Sequence, residues 1–118
     1  MFDKMIEISM LYDFYGQLLT AKQQEILKLY HEDNYSLSEI AEEFGISRQG
    51  VHDSVKKAEK ALHEYEGKLG LVSKFIATEE AVTAIDLEID RLLQDNSGNS
   101  QLTTRLKHIK TIIDQINE

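Results

Sequence analysis

The sequence contains no cysteine, no proline and no tryptophan. Without cysteine there is no disulfide framework, no thiolate metal site and no thiol nucleophile, which suits a reducing compartment. Proline breaks helix interiors and is a common loop residue. Its absence from 118 residues favours long helices joined by short polar turns. No apolar run approaches the roughly 20 residues that a membrane-spanning helix needs. The opening MFDKMIEISM mixes acids among its apolar residues, unlike a secretory leader. Nor does any stretch alternate apolar and polar residues with β-branched enrichment, the mark of a sheet. The expected fold class is therefore all-α, in a cytoplasmic chain without a membrane partner.

Charge is abundant but uneven. The formal net charge is −8. Residues 1–44 carry nine acids against Lys4, Lys22 and Lys28, and residues 76–118 carry eight acids against four bases. Only residues 45–75 are basic, with Arg48, Lys56, Lys57, Lys60, Lys68 and Lys74 against Asp53, Glu59, Glu64 and Glu66. An acidic chain meets a polyanion through such a segment alone, because its overall field opposes long-range attraction.

The apolar spacing places the helices. Lys4 to Leu19 carries Met5, Ile6, Ile8, Leu11, Phe14, Tyr15 and Leu18 on more than one stripe, so burial on two sides, against its own domain or a partner, is expected. Thr20 with Gln23 forms a capping box for a second helix, whose apolar face is Ile26, Leu27, Leu29 and Tyr30 and whose polar exit is residues 31–34. Ser36 with Glu39 is another box, opening a short helix that carries Leu37, Ile40, Ala41 and Phe44. Gly45 follows, the residue type that ends a helix in the left-handed conformation without a Cβ penalty. Ile46 plugs the turn, and Ser47 caps a helix in which Val51, Val55, Ala58 and Leu62 recur at spacings of 4, 3 and 4. Two helices, a tight glycine turn and an apolar underside make a helix-turn-helix.

With that stripe turned inward, Arg48, Gln49, His52, Asp53, Lys56, Lys57 and Lys60 are left outside. The N-terminal part of a recognition helix meets base edges, where Arg pairs with guanine and Gln with adenine. Ser47 and the amides at the helix start suit a phosphate, and Lys56, Lys57 and Lys60 suit further backbone contacts. Asp53 stands among them and opposes phosphate unless it accepts from a cytosine amino group. Gly50 weakens the helix by about 1 kcal/mol relative to Ala, which points to a close approach by another backbone or a ligand.

Beyond Leu62 the helix should bend or stop at Gly67–Gly70. Leu71, Phe75, Thr78, Val82, Ile85, Ile89 and Leu92 then recur at alternating spacings of 4 and 3, and so do Leu102, Leu106, Ile109, Ile113 and Ile116 after a polar turn at 95–100. These read as a C-terminal antiparallel helical hairpin. The expected division is 1–70 for the helix-turn-helix and 71–118 for the hairpin, which packs on the first part or on a second subunit.

The segment SLSEIAEEFGISRQGVHDSVKKAEKAL resembles the DNA-binding helix-turn-helix of region four of bacterial sigma factors. LYDFYGQLLT together with ISRQGVHD, within a run from Leu11 to about Leu71, resembles the YlxM family more closely. Those are small bacterial helix-turn-helix proteins linked to the signal recognition particle pathway. The resemblance implies a regulatory role without catalysis, and places Arg48, Gln49, His52, Asp53 and Lys56 at outward recognition positions.

No histidine pair shows metal-ligand spacing, and neither a glycine-rich phosphate loop nor a nucleophile elbow is present. No cofactor or metal is expected, and an enzyme is the weakest class. Three functions stay open: a DNA-binding regulator, expected as a homodimer; an RNA-binding modulator of the signal recognition particle, with the particle's RNA or GTPase as partner; and a protein adaptor with the helix-turn-helix only as scaffold.

Overall fold

The computed structural model describes residues 3–116, which are helical throughout apart from short connections. The helices are α1 (Lys4–Tyr15), α2 (Ala21–Leu27), α3 (Leu37–Phe44), α4 (Arg48–Leu69), α5 (Leu71–Asp95) and α6 (Ser100–Ile116). A 3-10 turn at Gly16–Leu18 follows α1, and a π-helical turn at Lys28–Glu32 follows α2. The chain divides into two compact units, residues 1–72 and 73–118. No described helix is long and apolar enough to cross a membrane.

In the first unit the caps fall where side-chain chemistry puts them. Asp3 accepts from the Ile6 amide at 2.9 Å. The Thr20–Gln23 and Ser36–Glu39 boxes are both closed in each direction. Gly45 ends α3 at φ 66°, in the left-handed region as expected. Helix α4 is the axle of the unit and packs against α1, α2 and α3. Its stripe of Val51, Val55, Ala58 and Leu62 is buried, as are Ile8, Leu11 and Tyr15 of α1, Ile26 and Leu27 of α2 and Ile40 of α3.

One expectation needs correction here. Helix α1 stops at Tyr15 instead of reaching Leu19, since the chain tightens into the 3-10 turn at Gly16. A Cβ on Gly16 would lie 3.1 Å from the Tyr12 ring. Its own chain covers α1 on one side. Ile8, Leu11 and Tyr15 are covered, whereas Met5, Ile6 and Leu18 are exposed. The polar exit of α2 is a π-helical turn, wider than an α turn, and it leads His31 to a partner in α4.

Gly67 lies inside α4, and the break comes at Gly70, at φ 61°. The start of α5 is held by side chains from elsewhere in the first unit. Tyr15 donates its hydroxyl to Glu66 Oε1 at 2.6 Å and accepts the Leu71 amide at 3.0 Å, while the same Glu66 oxygen accepts the Val72 amide at 3.0 Å. Amides at a helix start lack a partner in their own helix, and this clasp supplies one. Burial, then the bond to Glu66, pushes the Tyr15 hydroxyl pKa above its ordinary value.

The second unit is a hairpin. Helices α5 and α6 are joined by a turn at 96–99, and Asn99 caps α6 by accepting the Leu102 amide at 3.0 Å. Val82, Ile89, Leu106 and Ile113 form its buried core, with Leu93 and Leu102 against it. Lys110 meets Asp90 at 2.6 Å and Asp86 at 3.2 Å, so the helices run antiparallel. Of the expected 4–3 stripes only Val82, Ile89, Leu106 and Ile113 are buried and Leu102 is half-buried, while Leu71, Phe75, Thr78, Ile85, Leu92, Ile109 and Ile116 are exposed. A helix with one neighbour in the hairpin buries about one stripe, and the 4–3 pattern carries a wider one.

Candidate nucleic-acid interface

Helix α4 fixes the site by burying one side. Val51, Ala58 and Leu62 are fully enclosed and Val55 nearly so, which rotates Arg48, Gln49, His52, Asp53, Lys56, Lys57 and Lys60 into solvent. All seven are exposed, and Ser47 precedes them at the N-cap. The structure thus brings the eight expected residues together along one helix face.

Their pairing differs from a row of free side chains. Ser47 Oγ accepts the Gly50 amide at 2.9 Å, so its remaining capacity toward a phosphate includes its own O–H. The amides of Arg48 and Gln49 have no carbonyl partner in their own helix. Gln49 donates its side-chain amide to Asp53 Oδ1 at 3.0 Å, and His52 Nδ1 stands 3.6 Å from that oxygen. Asp53 is therefore a local acceptor that ties down Gln49, one of the two residues expected to touch bases, and stands beside His52. An adenine edge has to displace it from Gln49. Arg48, Lys57 and Lys60 have no carboxylate in ion-pair reach among the described residues, whereas Lys56 Nζ lies 3.8 Å from Glu59 Oε1.

Within the chain, Gly50 has a local explanation. A Cβ there would meet Ser47 Oγ at 3.1 Å, so the small residue protects the cap of its own helix.

Glu59 escaped sequence reasoning. It is 7% exposed, a buried charged residue on the edge of the α4 stripe. Its Oε2 lies 2.9 Å from His31 Nε2, and its Oε1 has Lys4 at 4.0 Å and Lys56 at 3.8 Å. The pair ties the π-helical turn to α4. Its position one residue after Ala58 and four after Val55 was the available signal, since that places it beside the apolar stripe.

Two open grooves flank α4. One, of about 480 Å³, is lined by Leu37, Arg48, Gln49 and His52 at the start of the helix. The other, of about 420 Å³, includes Lys4, Tyr30, Tyr35, His52 and Lys56, with Glu59 in its wall. On the far side of Tyr35 the surface turns acidic, where Glu39, Glu42 and Glu43 of α3 line a shallow depression. The cationic face is thus narrow and bordered by negative charge. Among the described residues no group of three metal-ligating side chains converges.

The sequence profile of a family described as "Putative helix-turn-helix protein, YlxM / p13 like" matches residues 2–108. A UPF0122 protein of Listeria monocytogenes is 39% identical over 112 residues, covering 95% of this chain and 99% of the relative. One from Halalkalibacterium halodurans is 45% identical over 112 residues, with the same coverage of 95% and 99%. Another, from Acetivibrio thermocellus, is 43% identical over 116 residues, covering 98% of this chain and 96% of its own. The family is described by its helix-turn-helix and by no enzymatic activity.

Proposed function

This chain belongs to the UPF0122 family of YlxM/p13-like helix-turn-helix proteins, and on that premise we propose that it is a non-enzymatic DNA-binding regulator of the signal recognition particle pathway. It works in the cytoplasm as a homodimer and without a cofactor. Residues 1–70 read the duplex and residues 71–118 serve assembly. The observation that carries the reading is the rotation of α4: its apolar side is sealed, and Arg48, Gln49, His52, Lys57 and Lys60 are solvent-facing at the front and middle of the helix.

In this reading the roles are graded along α4. Arg48 and Gln49 contact base edges, the latter after leaving Asp53. Ser47 and the first amides hold a phosphate, and Lys57 and Lys60 hold others, with Lys56 contributing less because Glu59 shares it. Selection from a random duplex pool tests this. An enriched site is expected, with Arg48→Ala and Gln49→Ala altering its sequence. Each of Lys57→Ala and Lys60→Ala should reduce the slope of log K against log salt by about 0.9 while leaving the preferred sequence unchanged.

A second reading is favoured by the acidic border of α3 and the net charge of −8. Here the same face binds the RNA of the signal recognition particle, or its GTPase, and the helix-turn-helix is a scaffold. A pool that yields no duplex site, with the particle's RNA or GTPase recovered on the protein and lost after Lys56, Lys57 and Lys60 are reversed to Glu, selects it over the first.

A further inference from the structure

The hairpin carries an apolar face that its own core does not use. Ile85, Leu92, Ile109 and Ile116 each lie three residues beyond a buried one, namely Val82, Ile89, Leu106 and Ile113. They are 50%, 46%, 42% and 59% exposed. At about 100° per residue, a step of three turns a side chain about 60° to one side of the core direction, and a step of four turns it about 40° to the other. Antiparallel helices reverse both their sense of rotation and the direction of their core. The three-step side of α5 and that of α6 therefore point the same way.

The four-step side supports this geometry. Asp86 and Lys110 stand four residues beyond Val82 and Leu106, and they meet at 3.2 Å. One edge of the hairpin is thus closed by the Lys110–Asp86–Asp90 clasp, and the opposite face is a contiguous strip of large aliphatic side chains, widened by Ile112 at 47% exposure.

We infer that this strip is a self-association surface: two copies of the hairpin stack face to face as an antiparallel four-helix bundle, with α5 of one copy on α6 of the other. The inference deepens the homodimer proposed above and does not depend on what α4 binds. Charge at the rim selects the occupant. The turn at 96–99 is centred between residues 97 and 98, so antiparallel pairing matches Ile89 in height with Leu106 and Val82 with Ile113. A two-fold axis along the helices then places α6 of the partner copy over α5 at matched height. Ile85 comes opposite the second copy's Ile109 and Ile112, and Glu88 comes within one helical turn of its Arg105 and His108. Glu88 meets Arg91 through one oxygen only, and Arg105 has no carboxylate partner among the described residues. The face is thus self-complementary in shape and in charge, the requirement for an isologous contact.

Light scattering of the full chain at micromolar concentration tests this, with nucleic acid absent. A mass twice 13.5 kDa is expected. Ile85→Glu and Ile109→Glu should each return the mass to that of one chain with helical circular dichroism retained, while Thr83→Glu on the far side leaves the dimer intact. Glu88→Arg should weaken association at least fivefold, and adding Arg105→Glu should restore it. Should a face variant lose helicity, the charge exchange decides. A single-chain mass for the unmodified protein, a dimer that survives both face variants, or failure of the exchange to restore association overturns the inference. Duplex binding that fails while the dimer persists refutes only the reading of α4.

Discussion

Removing the partner of the buried Glu59 carboxylate should destabilise the first unit more than removing the carboxylate itself. His31 Nε2 lies 2.9 Å from Glu59 Oε2, and the two side chains are 16% and 9% exposed. A hydrogen bond to a charged group contributes roughly 1.5–3 kcal/mol, and leaving that charge buried without it exacts the desolvation penalty as well. The nearby ammonium groups of Lys4 and Lys56 stand at 4.0 and 3.8 Å and are mostly exposed, so they compensate only in part. His31→Phe is therefore expected to lose about 2 kcal/mol. Glu59→Met removes the charge together with its need for a partner and fills similar space, so its expected loss is about 1 kcal/mol. The double variant should lose about 1 kcal/mol, well short of the sum of the two single losses, because the stranded charge is gone. Urea unfolding with a common slope measures all three. Additivity within about 0.5 kcal/mol would refute the reasoning and make the pair a surface contact of no consequence.

Alkaline pH probes both units. Folding raises the pKa of Tyr15, chiefly through burial and then through its bond to Glu66. It also raises that of Lys110, chiefly through its bonds to Asp90 and Asp86. Groups raised on folding contribute stability that is fully present below their unfolded values, near 10.0 for Tyr and 10.5 for Lys, and lost as pH climbs through the folded ones. Stability should therefore hold at neutral pH and fall above about 10. In urea unfolding at stepped pH, Tyr15→Phe should remove the part of that fall belonging to the first unit; an unchanged profile contradicts the clasp at the start of α5. The glycines of α4 offer a paired comparison. Nothing lies within 4 Å of a Cβ on Gly67, so Gly67→Ala should stabilise by about 0.5–1 kcal/mol. Gly50→Ala should show no such gain, because its Cβ crowds the Ser47 cap at 3.1 Å. Equal gains in thermal unfolding would disprove the protective role of Gly50.

The sites legible in the chain were those whose cause is local. A cap is a side chain three residues from the amide it accepts, so Thr20, Ser36 and Ser47 announce their helices, and Gly45 announces its turn. The stripe of α4 and the exposure of Arg48 through Lys60 follow from the same helical period. What α4 does with its polar residues was less legible. Nothing in the spacing says that Gln49 turns back to Asp53 when an open helix face is also available to it.

By itself the sequence determined the all-α class, the helix boundaries marked by capping chemistry, and the cationic side of α4. Each depends on residues within one or two turns of one another. Tertiary structure decided the rest: the Tyr15–Glu66 clasp, the His31–Glu59 pair, and which half of the α5–α6 stripe lies in the hairpin core. These join residues far apart in the chain or on different helices. Their energies come from burial and mutual desolvation, which exist only once the helices have packed.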